Sequence, residues 1–434
     1  LYYSKSECLH CHVVHTAMCR QLSAIVRSMI VRLLKNARAA FITLAVLFAM
    51  SMLWANVADR AAQQSNIENA LTDAAADAKY AEVYRKVSRL PNDTKYLLLW
   101  TRKDYAPFYY LGRGQRAFIQ RNCSVYNCYV TDDKHLFGGD LTKFHAIAFN
   151  GRNLNRTGNG LPKHRAAHQK YIFFNIESAD NYPVCSDIYD NFFNWTSTYR
   201  LDSQIPFTYI KIKDSSGRVV GPSKHMKWRT DMVVDHDMSS KLKNKSKTAA
   251  WFVSHCKCRS RREKFVIQLQ KELAMYNLNI DVYGLCGSHL CPLESKHTCN
   301  NLLEEEYMFY MALENSFAED YVTEKLLTAL QHNVVPVVYG GADYSRFLPP
   351  NSYLDGRALS PSALASTMAR LARSPQLYME YFKWKSYYTY HSPVAAENVC
   401  AVCEALNNKQ MYEETSVYDD FRKWCSRLSS PIFK

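Results

Sequence analysis

Beyond about residue 94 the chain is built from short, uninterrupted apolar runs separated by polar stretches rich in turn formers. One set comprises residues 96–100 (YLLLW), 144–149 (FHAIAF) and 171–174 (YIFF). A second comprises 249–254 (AAWFVS), 280–283 (IDVY), 307–313 (YMFYMAL) and 334–339 (VVPVVY). Runs of this length without polar alternation mark strands covered on both faces, as in a parallel sheet. Helical periodicity falls among them at about 261–276 and follows them from 361 to 384. Strands alternating with helices predict an α/β fold, with helices on both faces of a mostly parallel sheet. Residues 235–247 break the pattern: Lys241, Lys243, Lys245 and Lys247 alternate with polar residues, and such a charge run is ordinarily a solvated linker. The expected organisation is two Rossmann-like domains facing a cleft, at 94–225 and 249–395, joined by a linker at 226–248. After the periodic stretch 361–384 a terminal helix is expected to pack back across the first domain, and 396–434 reads as a Cys-containing extension. A chain of 434 residues is too long for one ordinary core, in keeping with two domains.

The amino-terminal pattern is different. Residues 39–57 (AAFITLAVLFAMSMLWANV) carry no charge and are just long enough to cross a bilayer. Arg27, Arg32, Lys35 and Arg38 precede them. The positive-inside rule then expects a single transmembrane signal-anchor helix, with residues 1–38 cytosolic and the remainder lumenal. That describes a type II membrane protein, and the short span suits the Golgi membrane. A cleaved signal peptide with a long basic leader is the alternative. Residues 58–93, rich in Ala, Asp, Gln and Asn, read as a stem. Sequons at Asn92, Asn122, Asn155, Asn194 and Asn244 agree with a lumenal glycoprotein.

Eleven of the fourteen cysteines lie beyond the apolar run, where disulfides are permitted. The odd number leaves at least one free or paired between chains. Cys286, Cys291 and Cys299 bracket a loop, and Cys400 and Cys403 can close locally. Zinc ligation is the sharper, less expected reading of these residues. The Cys/His mixture at 8–19 (CLHCHVVHTAMC) fits no standard finger spacing and reads as cytosolic tail. The formal charge of +14 suits a phosphate-bearing partner or an anionic membrane surface. The basic residues form no sustained stripe, which argues against nucleic acid. A homodimer is left open.

Candidate chemistry collects between the strands at 307–313 and 334–339. Glu314, Asn315, Ser316, Asp320 and Tyr321 lie there, and Glu324 and Lys325 begin a helix. Polar groups between a strand end and a helix start are what an open α/β sheet uses to hold a phosphate-bearing ligand. Lys325 can neutralise phosphate, Asp320 is the expected N-cap, and Glu314 reads as an acid reaching water. Arg262, in VSHCKCRSRRE after the first strand of the second domain, is the expected second cation, with Arg259 and Arg261 as neighbours. The Asp235-His236-Asp237 triplet lies in the linker run rather than after a donor-domain strand. The charge of a diphosphate must then be met by side chains, and no metal site is expected. In the first domain Glu177 follows the strand at 171–174, at the edge where a carboxylate can act as a general base.

These segments resemble the α1,3-fucosyltransferases, glycosyltransferase family 10. That family's F-x-x-x-x-E-N-S followed by D-Y-[IV]-T-E-K is filled by Phe309, Glu314, Asn315, Ser316, Asp320, Tyr321, Val322, Thr323, Glu324 and Lys325. The segment YIFFNIESADNYP is similar to F-x-x-x-E-S-P, with Ala179 where the family has Pro. In FFNWTSTYRLDSQIP, Gln204 replaces the family's Asp, and His255 replaces an Asn beside the phosphate-binding Arg. The resemblance implies a GT-B arrangement and inverting transfer of fucose from GDP-fucose to the 3-hydroxyl of GlcNAc in a glycan or glycoprotein. It implies Glu177 as base, Lys325 and Arg262 on the pyrophosphate, and Glu324 on ribose or fucose hydroxyls. Tyr321 would pack on the sugar or bond a phosphate, while Asn315 would fix the loop. Tyr199 and Arg200 would brace the domain. No cofactor is implied, with Mn²⁺ at most a stimulant. The cysteine spacing at 286–299 and 400–403 looks more like the invertebrate and plant enzymes of the N-glycan core than the Lewis-type enzymes; a Lewis-type or GalNAc-GlcNAc antennal transferase, and a non-catalytic Golgi glycan-binding or scaffold protein, are the alternatives.

Overall fold

The structure, a computed structural model, describes residues 93–154, 160–182, 184–291, 296–393 and 397–426. The tail, the apolar run at 39–57, nearly all of the stem, and the sequons at Asn92 and Asn155 lie outside the described residues. Among the described residues no helix is long and apolar enough to cross a membrane.

Two parallel five-stranded sheets organise the chain. The first contains β1 (Lys95–Leu99), β2 (Cys128–Thr131), β3 (Ala146–Asn150), β4 (Lys170–Asn175) and β5 (Trp195–Thr198), in the order β2-β1-β3-β4-β5. A small antiparallel sheet joins β6 (Lys211–Asp214) and β7 (Val219–Gly221) to the late strand β13 (Tyr388–His391). The second large sheet has β8 (Lys247–Phe252), β9 (Ile280–Tyr283), β10 (Tyr307–Leu313), β11 (Val335–Tyr339) and β12 (Leu354–Asp355), ordered β12-β11-β10-β8-β9. Numbered within each sheet, both orders are 2-1-3-4-5. In that doubly wound pattern the ligand crevice opens at the carboxyl ends of the first and third strands. Those are β1 and β3 in one half, β8 and β10 in the other.

The burial explains why these runs read as uninterrupted. Along β10, Phe309, Met311 and Leu313 join one core cluster while Tyr310 and Ala312 join another, so each face meets its own helices. The former packs with Phe265, Val266, Leu269 and Leu273 of α1 (Arg262–Ala274). Beyond α2 (Lys296–Glu305), the latter meets Leu326, Leu327 and Leu330 of α3 (Glu324–Leu330). On the α1 face, α4 (Pro361–Arg373) adds Leu364, Met368 and Leu371, with Ser360 accepting from Ala363 N–H at 3.2 Å as its N-cap. The periodic stretch 361–384 does not continue as one helix: Ser374 caps a second start before Pro375.

The first sheet is closed by the carboxyl-terminal residues. Val399, Val402 and Leu406 of α5 (Glu397–Asn407) pack with Leu97, Ala148 and Ile172 on one face. Phe421 and Trp424 of α6 (Phe421–Cys425) pack with Ile147, Phe149 and Phe173 on the other. Cys400 and Cys403 do not bond to each other. They reach Cys123 and Cys128, and Cys425 reaches Cys185. Adjacent helical positions that looked suited to local closure instead face the sheet together. In the second half Cys256 pairs with Cys286 and Cys291 with Cys299, leaving Cys258 as the free thiol among the described cysteines.

The polar run is less solvated than its composition suggests. The Lys245 ammonium donates to the carbonyls of Leu303 (3.1 Å), Glu304 (2.7 Å) and Tyr307 (2.9 Å), terminating α2. Burial pushes its pKa down to about 8. Ile210 and Ile212 are buried with the second half's core, so the chain crosses over before the expected boundary at residue 225.

Candidate active site

The loop after β8 and the loop after β10 are sewn together at the second sheet's crevice. Ser260 donates its hydroxyl to Glu314 O at 2.7 Å and its N–H to Asn315 O at 3.0 Å. Arg261 takes the left-handed conformation (φ 53°) and opens α1. Arg262 follows, 4% exposed, with Nη1 donating to Leu313 O at 2.6 Å. Its Nε is buried without a partner, a donor for which water has been removed but no acceptor supplied. Arg259 is exposed and lies 3.9 Å from Asp180, so the buried arginine of this run is Arg262. His255 is exposed; its carbonyl accepts from the Cys258 thiol at 3.4 Å.

Glu314 is not a water-facing acid. It is 1% exposed; its Oε1 accepts from Thr323 N–H at 2.8 Å and its Oε2 meets Lys325 Nζ at 3.2 Å. It thereby occupies the amino terminus of α3, whose amides were expected to remain free for a ligand. Lys325 also reaches Thr323 Oγ1 at 2.7 Å and Glu324 Oε1 at 3.0 Å. Burial alone would pull the Lys325 pKa down, but Glu314 and Glu324 outweigh it and hold the ammonium charged. Arg262 opposes them through its own charge. Burial raises the Glu314 carboxyl, with Lys325 pulling the other way. Breaking such a buried pair by deleting one partner costs about 3–5 kcal/mol, because the survivor is left uncompensated. Asn315 fastens the loop by its backbone, and its Oδ1 is buried and unpartnered.

Asp320 does not cap α3; Thr323 holds the N-cap position. At φ 58°, Asp320 instead accepts from Leu201 N–H at 3.1 Å and pairs with Arg346 at 2.7 Å. Beside it, Arg200 makes a two-pronged pair with Asp202 (2.8 and 2.7 Å) and reaches Glu319 at 3.2 Å. This is a bracing role. Arg346 carried no sequence signal, since its partner lies in a different loop.

In the first half Asn175, the last residue of β4, folds back on Glu177: it donates to Glu177 O at 2.8 Å and accepts from Glu177 N–H at 3.2 Å. The Glu177 carboxylate, 9% exposed, accepts on Oε1 from Ser178 N–H and Asn181 Nδ2, each at 3.0 Å. The third donor to Oε1 is the hydroxyl of Tyr321 from the other half. Tyr321 therefore lies neither against an open sugar pocket nor free for a phosphate, as the sequence suggested; it is 2% exposed and edge-on to Tyr199 at 4.9 Å. Ser316 and Ser178 hydroxyls meet at 2.5 Å across the same seam. Tyr209 donates to Ile176 O at 2.6 Å; burial pushes its phenol well up, and the charges of Glu177, Glu324 and Glu314 push the same way.

Two further surfaces adjoin these groups. At the first sheet's crevice the Arg152 guanidinium stacks on Tyr105 (4.0 Å) and Tyr182 (5.5 Å). In the second half a cavity of about 480 Å³ is lined by Arg261, Lys264, Phe265, Phe317, Tyr339 and Arg357. Phe265 and Tyr339 stack at 4.4 Å, and Arg357 lies over Phe317 at 4.7 Å. Cations on aromatic walls suit a ligand with both a planar ring and negative charge.

The remaining sequence candidates divide. Asn122 and Asn244 are exposed. Asn194 is 5% exposed; its Nδ2, the atom a glycan would take, donates to Ser416 O at 3.1 Å, and its Oδ1 accepts from Tyr171 N–H at 2.9 Å. In the folded protein Asn194 is a structural amide. Asp235, His236 and Asp237 form a surface turn in which Asp235 accepts from Asp237 N–H at 3.2 Å. Among the described residues no group of three His, Cys, Asp or Glu is arranged to hold a metal ion.

The chain thus presents two parallel α/β sheets, each with its crevice at the switch point, meeting across a carboxylate and a cationic loop. The profile described as glycosyltransferase family 10 (fucosyltransferase) C-term matches residues 242–424, and that of the fucosyltransferase N-terminal region matches 92–210. The chain is 38% identical over 320 residues to α-(1,3)-fucosyltransferase C of Drosophila melanogaster, covering 72% of each chain. It is 29% identical over 322 residues to glycoprotein 3-α-L-fucosyltransferase A of the same organism, covering 72% of this chain and 57% of that one. A crystal structure of an α1,3-fucosyltransferase with GDP-fucose matches with a TM-score of 0.45 at 14% identity, over 77% of this chain and 95% of that one. The chain belongs to glycosyltransferase family 10, the α1,3-fucosyltransferases.

Proposed function

We propose that the chain transfers fucose from GDP-fucose to the 3-hydroxyl of a GlcNAc residue in a glycoprotein glycan, with inversion; the cysteine spacing at 286–299 and 400–403 inclines the acceptor to the core of an N-glycan. The observation that carries this reading is the meeting of Glu177 with the loop that presents Lys325, beside the buried Arg262. Lys325 and Arg262 face the diphosphate, whose charge grows as the sugar bond breaks; preorganised cations in a dry site are worth most there. The orphan Nε of Arg262 supplies a donor with no competing protein acceptor. Glu324, 42% exposed at its side chain, takes ribose or fucose hydroxyls. The aromatic and cationic cavity receives the guanosine end.

Chemistry is then one displacement. Glu177 accepts the proton of the acceptor O3–H, O3 forms its bond to the anomeric carbon, and the bonding pair to the phosphate oxygen leaves with GDP. A single carboxylate base without a covalent intermediate gives inversion. The scheme meets the leaving-group charge with side chains, so Mn²⁺ enters as a stimulant and not a requirement. Residues 39–57 anchor the enzyme as a single-pass type II protein of the Golgi membrane.

The test uses the full chain with GDP-fucose and three acceptors: a GlcNAc-terminated N-glycopeptide, N-acetyllactosamine and GalNAc-GlcNAc. Transfer to the glycopeptide core is expected, with Glu177→Gln lowering kcat about 10²–10⁴-fold. Transfer only to N-acetyllactosamine or GalNAc-GlcNAc would move the acceptor to antennae. Wild-type rate in Glu177→Gln would remove the base assignment.

A further inference from the structure

Charge at the second crevice falls into an inner and an outer set. In the inner set Lys325 lies 3.2 Å from Glu314 and 3.0 Å from Glu324, and Arg262 is the other cation. Two cations against two carboxylates leave no net charge when all four are ionised. The diphosphate of a nucleotide-sugar brings two negative charges, and its charge grows as the sugar bond breaks. The inner set can donate hydrogen bonds to that group but cannot neutralise it. The outer set lines the neighbouring cavity, where Arg261, Lys264 and Arg357 are the cations and none of the described lining residues is an acid.

We propose that Arg261 and Lys264 form an outer cation pair that meets the diphosphate from the solvent side and supplies the two charges the inner set lacks. This rests on the reading of GDP-fucose as the donor, with its guanosine end in this cavity. The other cations of the region are already engaged. Arg357 donates through Nη1 to Gly340 O at 3.0 Å, and Asp355 accepts its backbone N–H at 2.8 Å. Arg259 faces Asp180 at 3.9 Å. Arg261 and Lys264 are exposed, and among the described residues neither pairs with an acid.

Their placement follows from the way α1 opens. Arg261 N–H is held by Cys258 O at 3.0 Å, and at φ 53° the backbone turns into the helix. Lys264 N–H donates to Arg261 O at 2.9 Å, which ties the two residues into one turn. Between them Arg262 turns inward, 4% exposed, with Nε buried and unpartnered. Phe265, next to Lys264, stacks on Tyr339 at 4.4 Å. The aromatic wall, the orphan donor and the outer pair are therefore carried by one helix start. The acid of this turn, Glu263, lies outside the cavity lining with its Oε2 buried. A nucleotide with its ring on that wall and a phosphate oxygen on Arg262 is within reach of both outer side chains. Exposed cations attract through water and are screened by salt, whereas buried ones are screened much less. That difference separates the outer pair from the inner one.

The experiment measures the affinity of the full chain for GDP and for guanosine, as wild type, Arg261→Ala, Lys264→Ala and the double variant. Ionic strength runs from about 0.01 to about 0.15 M, over which the screening length shortens from about 30 to about 8 Å. Both side chains are exposed, so the variants keep the fold. The double variant is expected to lose about tenfold in GDP affinity at the low-salt end, with most of the salt dependence, while its guanosine affinity stays at the wild-type value. Lys264→Arg is expected to retain GDP affinity. Wild-type GDP affinity and salt dependence in the double variant would overturn the proposal. An equal loss for guanosine would overturn it too, because the side chains would then shape the wall rather than meet charge. Failure of the wild-type chain to bind GDP is the separate result that fails the donor reading itself.

Discussion

The two large sheets share one strand order but equip their crevices differently. The second half lays out fixed charge: Arg262, Glu314, Lys325 and the Asp320–Arg346 pair are all buried or nearly so. The first half offers one carboxylate, Glu177, steadied by donors that carry no charge. The same topology thus yields a crevice, and the loops decide what it does. Charges in compensated networks suit a diphosphate; a lone carboxylate among neutral donors suits proton transfer. Their closures differ too. Staples across the first sheet join residues 277, 275 and 240 apart, whereas those of the second join residues 30 and 8 apart.

The largest single-residue break in this comparison is Lys325→Ala. It strands Glu314 and is expected to cost about 3–5 kcal/mol of stability as well as GDP affinity. Glu177→Gln, whose donors are neutral, should melt within about 1 kcal/mol of wild type. Thermal melts of the two variants check this, and equal melting would deny the charged network its structural role.

Next come the staples. Replacing Cys128 and Cys403 by Ser leaves Cys123–Cys400 a few residues away, so only a short loop is released and the loss is about 2–3 kcal/mol. Removing both bridges leaves Cys185–Cys425 as the remaining long-range staple of this sheet and is expected to cost about 7 kcal/mol. Denaturant midpoints would show this non-additivity, and simple addition of the two losses would refute it.

A pH effect belongs to the first half. His145 accepts from Tyr96 N–H at 3.1 Å, and burial, with the charges of Lys95 and His168, holds its pKa down to about 4. Between 6.5 and about 4 the unfolded chain binds this proton and the folded chain does not. Stability present above pH 6.5 is therefore lost as pH falls through that window. His145→Asn keeps an acceptor for Tyr96, and its melting temperature is expected to fall less between pH 7 and 5. The smallest effect is a null: Asn194→Gln should leave the mass released by glycosidase unchanged, whereas Asn122→Gln and Asn244→Gln each remove one glycan.

Much of the second sheet was legible because its strands are long apolar runs: the strands at 280–283 and 307–313 fall where the sequence places them. Cys128–Thr131 and Trp195–Thr198 escaped notice, being short and polar at half their positions. The site residues were legible as a set, but not their partners. Glu314 looked like an exposed strand-end acid because its counter-ion lies across a turn, at Lys325. Asp320 looked like a cap because it precedes a helix, yet its left-handed backbone turns the carboxylate toward Leu201 and Arg346. Lys245 looked solvated because its acceptors are backbone carbonyls, which leave no trace in the side-chain pattern.

The carboxyl-terminal closure of the first sheet has a consequence for synthesis. Cys123, Cys128 and Cys185 must wait for partners 277, 275 and 240 residues downstream. At about 5–20 residues per second that is roughly 12–55 s on the ribosome, with both sheet faces uncovered. The half made first is thus the half finished last. A shortened product ending before Glu397 would keep every strand of both large sheets, yet add three unpaired thiols to Cys258 and present two bare apolar faces to the quality-control machinery of the compartment in which it folds.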